Sequence, residues 1–93
     1  MNNLIISFEL LVPEHNLEQV ISTLKAAGSC IRLRYSLWHV KTSRSAAQVA
    51  EMLSGLMGPQ DNVIVIDATT GNAAWCNLDS KTSSELRQRW NSK

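Results

Sequence analysis

An α+β fold built on an antiparallel sheet is the expectation from three features of this sequence. Two runs rich in β-branched residues read as strands, two stretches of helical periodicity carry capping residues, and a two-residue alternation lies between those helices. At 93 residues the chain is one small domain. A domain of this size buries only ~60–65% of its unfolded surface, so its core is thin and association with a second copy would help it. The composition is globular, with 44% hydrophobic and 18% charged residues. No apolar run reaches the ~20 residues of a membrane span. The N-terminus has no basic segment leading into a long apolar stretch, which makes the cytoplasm the expected compartment.

The elements follow in order. Leu4-Ile5-Ile6-Ser7-Phe8-Glu9-Leu10 is apolar nearly throughout and reads as a central strand, closed by Pro13. Asn16 and Gln19 form a capping pair for a first helix, whose stripe is Leu17, Val20, Ile21 and Leu24. Gly28 suits a left-handed helix end. Over 30–42 the period changes to two: Ile31, Leu33 and Tyr35 alternate with Arg32 and Arg34, then Leu37 to Val40 continue as another strand, with a turn near Ser36. Ser45 with Gln48 is a capping box opening a second helix that carries Val49, Met52, Leu53 and Leu56 and stops at Gly58-Pro59. Val63-Ile64-Val65-Ile66 is the clearest strand, and Thr69-Thr70-Gly71-Asn72 a turn. Residues 73–76 suit a short return strand, and Asp79 or Ser80 caps a last helix in which Leu86 and Trp90 stand at i and i+4.

The order strand, helix, strand, strand, helix, strand is the ferredoxin-like split βαβ arrangement, with both helices on one sheet face and the first and third strands side by side in its centre. Residues 1–78 form that domain and 79–93 a C-terminal helical extension. The second sheet face must be polar, covered by the last helix, or buried against another copy. Tyr35, Trp38 and Trp75 are more aromatic than a solvated face needs, which favours a homodimer.

Net charge is +1, so the molecule is no polycation. Yet Arg32, Arg34, Lys41 and Arg44 follow one another with no acidic residue between, a local basic face suited to RNA or DNA or simply to solvent. Tyr35 and Trp38 offer stacking platforms or core side chains. Glu9 closes an apolar strand; such a carboxylate needs a cation, a donor or solvent. One Glu9 from each subunit of a symmetric dimer would together hold Mg²⁺ or Mn²⁺, able to polarise a phosphodiester; the alternative is a solvated or arginine-paired carboxylate. Ser36 positions a phosphate or water, or is a turn residue. His39 is a general-base candidate or a packing residue. Asp67 ends the last strand as Glu9 ends the first, and either approaches it or caps the following turn. Cys30 and Cys76 with His15 and His39 lack the spacing of a zinc site and read as free thiols. There is no phosphate loop or Walker motif.

Ser7-Phe8-Glu9-Leu10 and Arg34-Tyr35-Ser36-Leu37-Trp38, in this order of elements, resemble the second CRISPR-associated protein family. Gly-Asn-Ala-Ala-Trp-Cys-Asn-Leu at 71–78 looks closest to its stand-alone SinR-like and virulence-associated protein D-like relatives. The resemblance spans residues 3–78. It implies a ferredoxin-like homodimer in nucleic-acid processing or defence. It also implies a metal-dependent nuclease site between subunits, with Glu9 as metal ligand, Ser36 as helper and Arg32 or Arg34 on phosphate. Two departures weigh against the CRISPR role itself: glutamate replaces the family's aspartate, and Leu11-Val12-Pro13-Glu14-His15 replaces a basic run. The rival expectations are a non-catalytic module with a protein partner, such as an antitoxin-like or regulatory dimer, and a small-molecule-binding regulatory domain.

Overall fold

Strand β1 (Asn2–Glu9) turns Leu4, Ile6 and Phe8 to one face and Asn3, Ile5 and Ser7 to the other, and this alternation organises the domain. In the computed structural model, which describes residues 1–71, 73–75 and 77–91, six elements follow. They are α1 (Pro13–Ala27), β2 (Ser29–Arg34), β3 (Leu37–Thr42), α2 (Ala46–Ser54), β4 (Asn62–Asp67) and α3 (Ser80–Asn91). The sheet is antiparallel throughout, in the order β2-β3-β1-β4. This is a ferredoxin-like α+β domain with the first and third strands as its inner pair.

Register follows from burial. Leu4 stands opposite Val40 and Ile6 opposite Trp38, so these four share the core face. Val20 and Leu24 of α1 and Val49 and Leu53 of α2 close over them, each almost fully buried. Leu17 and Ile21 pack at the margin. Trp38 therefore belongs to the core and not to a bare sheet face, because its partner Ile6 points at the helices. Its Nε1 is buried without a hydrogen-bond partner among the described residues.

Several local expectations are corrected. Helix α1 starts three residues before Asn16: Pro13 occupies its first turn, where the missing N–H costs nothing. Asn16 instead donates to the Leu56 carbonyl (2.9 Å) and Asp61 Oδ2 (3.1 Å), tying α1 to the segment after α2. Gly28 is extended (φ 172°), not left-handed. Glycine is needed there because β3 passes so close: a Cβ would stand 3.0 Å from Thr42 Cβ and well inside contact distance of the Lys41 carbonyl oxygen. The Ser45–Gln48 capping box forms in both directions, but α2 ends at Ser54, ahead of Gly58-Pro59. β4 is an edge strand, as the central placement of the first and third strands implies, with Ile64 and Ile66 59% and 54% exposed. Ala73–Trp75 carry no strand, and Cys76 lies outside the described residues.

The second sheet face is partly covered by α3, capped by Asp79, whose Oδ2 accepts from the Thr82 N–H at 2.9 Å. Leu86 is buried, and the Trp90 ring lies 5.5 Å from that of His39. Lys41 Nζ donates to the Arg89 carbonyl (3.1 Å), and Arg89 reaches Ser29 Oγ. Asn3 Nδ2 donates to the Trp90 carbonyl at 3.4 Å, while its Oδ1 faces His39 Nε2 at 3.0 Å. That orientation of the amide places the imidazole proton on Nε2 and leaves buried Nδ1 unpaired. His39 is thus sealed beneath α3, out of reach of any substrate, which removes it as a general base.

Four outcomes follow from this packing. Gly28→Ala should destabilise the domain by about 1–3 kcal/mol in urea unfolding, since the close approach is to backbone and cannot relax cheaply. Gly55→Ala, where a Cβ would make only ordinary van der Waals contact with the Met52 and Glu51 carbonyls and the dihedrals are helical, should be neutral or stabilising by a few tenths of a kcal/mol. Burial, with Arg89 and Lys41 nearby, lowers the His39 pKa from 6.5 to about 4. As pH falls below 6.5 the unfolded chain takes up a proton that the folded chain refuses. Stability should therefore drop by up to about 3 kcal/mol between pH 6.5 and 4. His39→Gln, which keeps a donor for Asn3, should flatten that part of the melting-temperature profile.

Candidate nucleic-acid interface

The end of β1 and the β2–β3 turn meet at one corner of the sheet. The Phe8 N–H donates to the Ser36 carbonyl at 3.2 Å, which extends the β1–β3 ladder into the turn. That bond brings Glu9, the next residue, beside Tyr35-Ser36. Leu33 is an extra residue between the pairs Arg32–Trp38 and Arg34–Leu37, and this bulge re-aims the strand end. Arg32 Nε donates to the Tyr35 carbonyl at 2.6 Å, holding the turn and fixing the guanidinium beside it.

The result is an open cleft of about 340 Å³, with Glu9, Arg32, Tyr35 and Ser36 on its polar side. Phe8, Leu10, Pro13 and Leu17 form its apolar wall. Pro13 and Leu17 come from the first turns of α1, so the helix entry and the strand exit together shape the site. Tyr35 is 86% exposed, so its ring is free to stack. Of Glu9, Arg32, Arg34, Tyr35, Ser36 and Arg44, four converge here. They supply a carboxylate that accepts N–H donors, a guanidinium for phosphate, a hydroxyl and an aromatic face.

The other two stand elsewhere. Arg34 follows the bulge and lines a different cleft, on the second sheet face. Arg44 lies beside Asn2, whose Nδ2 donates to the Arg44 carbonyl at 2.9 Å. Asn2 and Glu9 are the two ends of β1, about 23 Å apart at ~3.3 Å per residue. Nor does Asp67 approach Glu9: β4 runs antiparallel to β1, so Asn62 faces Glu9 and Asp67 faces Leu4 at the far end. The Thr69 hydroxyl and backbone N–H both donate to the Asp67 carboxylate and hold its pKa below the usual range. Asp67 therefore caps its own turn.

No group of three or more His, Cys, Asp or Glu side chains among the described residues is placed to hold a metal ion. Cys30 is a half-buried free thiol whose pKa burial raises. His15 is exposed on α1, and no helix of the described chain is long and apolar enough to cross a membrane.

Sequence reasoning passed over two features. Asp61 accepts from the Leu11 N–H (2.7 Å), the Gly58 N–H (2.9 Å) and Asn16, bonds that lower its pKa and pin the loop after α2 against the entry to α1. The other is the Arg34 cleft, of about 510 Å³, between the second sheet face, Ala73–Trp75 with Leu78, and α3. Trp75 stands in its wall, its Nε1 donating to Ser83 Oγ at 2.8 Å and its ring 5.9 Å from the Arg87 guanidinium. The sequence signals for it were Trp75 as one of the aromatic residues in excess of what a solvated face needs, and the last helix as one possible cover of that face.

Comparison with known protein families, with curated proteins and with solved structures finds no match to this chain.

The exposed corner residues carry no packing. Glu9→Gln and Tyr35→Ser should each change unfolding free energy by less than ~0.5 kcal/mol, so binding defects in these variants will report on the site itself.

Proposed function

We propose that this chain is a small homodimeric protein of nucleic-acid processing or defence that binds single-stranded nucleic acid at the Glu9 corner without cutting it. The observation that carries this reading is the convergence of Glu9, Arg32, Tyr35 and Ser36 on one open cleft. The exposed Tyr35 ring gives an unstacked base a platform. Glu9 accepts the amino and imino N–H donors on a base edge, a role that needs no metal. The Arg32 guanidinium meets the phosphate, with the Ser36 hydroxyl as a further donor. With a net charge of only +1, affinity rests on stacking and a few local contacts rather than on a broad cationic surface.

The resemblance also implies a divalent cation. Among the described residues of one chain, Glu9 is the single carboxylate lining the cleft, which meets only the lower end of that ion's needs and leaves its other ligands to substrate phosphate and water. Mg²⁺ taken from protein groups asks for one or two carboxylates and usually substrate phosphates as well. A second Glu9 would have to come from another copy, so no step of the proposed binding runs through a metal.

The test is fluorescence anisotropy with labelled single-stranded RNA and DNA, alongside a cleavage assay in Mg²⁺ and Mn²⁺. Tyr35→Ala should weaken binding by roughly 5- to 150-fold, the stacking contribution of about 1–3 kcal/mol. Arg32→Ala should weaken it and lower its salt dependence. Glu9→Gln should change base preference. Metal-dependent cleavage by the wild type that disappears in Glu9→Ala would overturn the binding-only reading in favour of a nuclease. Absence of binding to either nucleic acid would reject the reading altogether.

A further inference from the structure

The two edges of the sheet are unlike. β2 carries the Leu33 bulge, exposed Arg32 and Arg34, and the neighbouring α3, all of which discourage a further strand. β4 carries none of these. Its sequence, Asn-Val-Ile-Val-Ile-Asp, has no lysine, proline or bulge, and its two isoleucines project from the half of the second face beyond α3.

The backbone of β4 sets its pairing rules. The Ala68 N–H donates to the Asn3 carbonyl at 2.8 Å, and Asn3 and Ala68 stand directly opposite in the β1–β4 register. In an antiparallel ladder such bonding alternates, so residues 62, 64, 66 and 68 direct their backbone groups at β1. Val63, Val65 and Asp67 direct theirs outward, where no strand of the described residues lies. A strand added at this edge must bond to these three residues.

We infer that this edge is the homodimer interface, formed by β4 pairing antiparallel with β4 of a second copy on a two-fold axis through Val65. This specifies the homodimer of the proposed function. Three observations select the register. Opposite residues must share a sheet face, so Ile64 must meet an isoleucine and not a valine. Centring on Val65 engages all three outward residues: Val65 with the partner's Val65, and Val63 with the partner's Asp67, in both directions. It also sets Asp67 against a valine. Shifting the axis to Ile64 would instead place Asp61 opposite the partner's Asp67, two like charges in direct apposition. In the Val65 register Ile64 packs against the partner's Ile66, twice over, which removes the most exposed apolar side chains of the sheet from water.

The sheet becomes eight-stranded and continuous. Glu9, beside Asn62, and the partner's Glu9 then stand at diagonal corners more than ~20 Å apart, given six residue steps along the strands. Each cleft works alone, and no ion is shared between them.

The test uses the full chain with Cys30→Ser and Cys76→Ser. Ile64 and the partner's Ile66 form a non-hydrogen-bonded pair with Cα atoms about 4.5 Å apart, within the span of a disulfide. A mixture of Ile64→Cys and Ile66→Cys chains should cross-link on mild oxidation, and neither should cross-link alone. Sedimentation velocity of the wild type should show a reversible dimer at concentrations on the order of 100 μM, as expected for a small interface. Ile64→Lys with Ile66→Lys should be monomeric with an unchanged circular dichroism spectrum. A wild-type monomer at that concentration would overturn the interface, as would self-cross-linking of Ile64→Cys or a Lys double variant that still dimerises. If that monomer still binds single-stranded nucleic acid through Tyr35, the cleft reading stands and the dimer alone falls.

Discussion

The two-sided pairing of β1 is the constraint on which the rest of this structure depends. One eight-residue strand bonds to β3 through its even-numbered residues and to β4 through its odd-numbered ones. The same alternation sends Leu4, Ile6 and Phe8 into the core and leaves Asn3, Ile5 and Ser7 on the second face. A slip of one residue would exchange these sets and expose the core. The register therefore decides together what is buried, where Glu9 emerges and which backbone groups of β4 are left facing outward.

The second face is a polar layer sealed by an added helix. Asn3, His39 and Lys41, all buried, would be costly beneath α3 without partners. They are met by main-chain carbonyls of α3 and by one another. The helix thus docks through its own backbone as well as through Leu86 and Trp90. The fit is imperfect at His39 Nδ1, which has no partner among the described residues, and a protonated ring is excluded there by burial and two neighbouring cations. This is where the domain is sensitive to acid.

The proposed site and the proposed interface lie on different parts of the sheet because they draw on different resources. The Glu9 corner uses side chains at a strand end, a turn and a helix entry, places where the chain must change direction and polar groups reach solvent. The β4 edge uses main-chain hydrogen-bonding capacity that a four-stranded sheet leaves unspent. Neither disturbs the core, so a stable scaffold and an adaptable surface coexist in a small chain.

Much was legible in the sequence because local chemistry carried it. The apolar runs set the strands, Ser45 and Gln48 set the start of α2, and the turn at Ser36 followed from the change of period. The start of α1 was misplaced because Asn16 resembles a cap locally, while its side chain is taken by Leu56 and Asp61, 40 and 45 residues away. Gly28 is glycine because β3 crosses it, a contact no window of sequence contains. Glu9, Arg32, Tyr35 and Ser36 were identifiable as residue types, but the bulge at Leu33 decided that Arg32 joins the cleft and Arg34 does not. The sequence by itself determined the elements, their order and the face each apolar stripe presents, since those depend on neighbours a few residues apart. Only the tertiary structure decided that His39 is buried, that Asp67 lies far from Glu9 and that Val63, Val65 and Asp67 turn their backbone groups outward, because each depends on strand direction and register across the sheet.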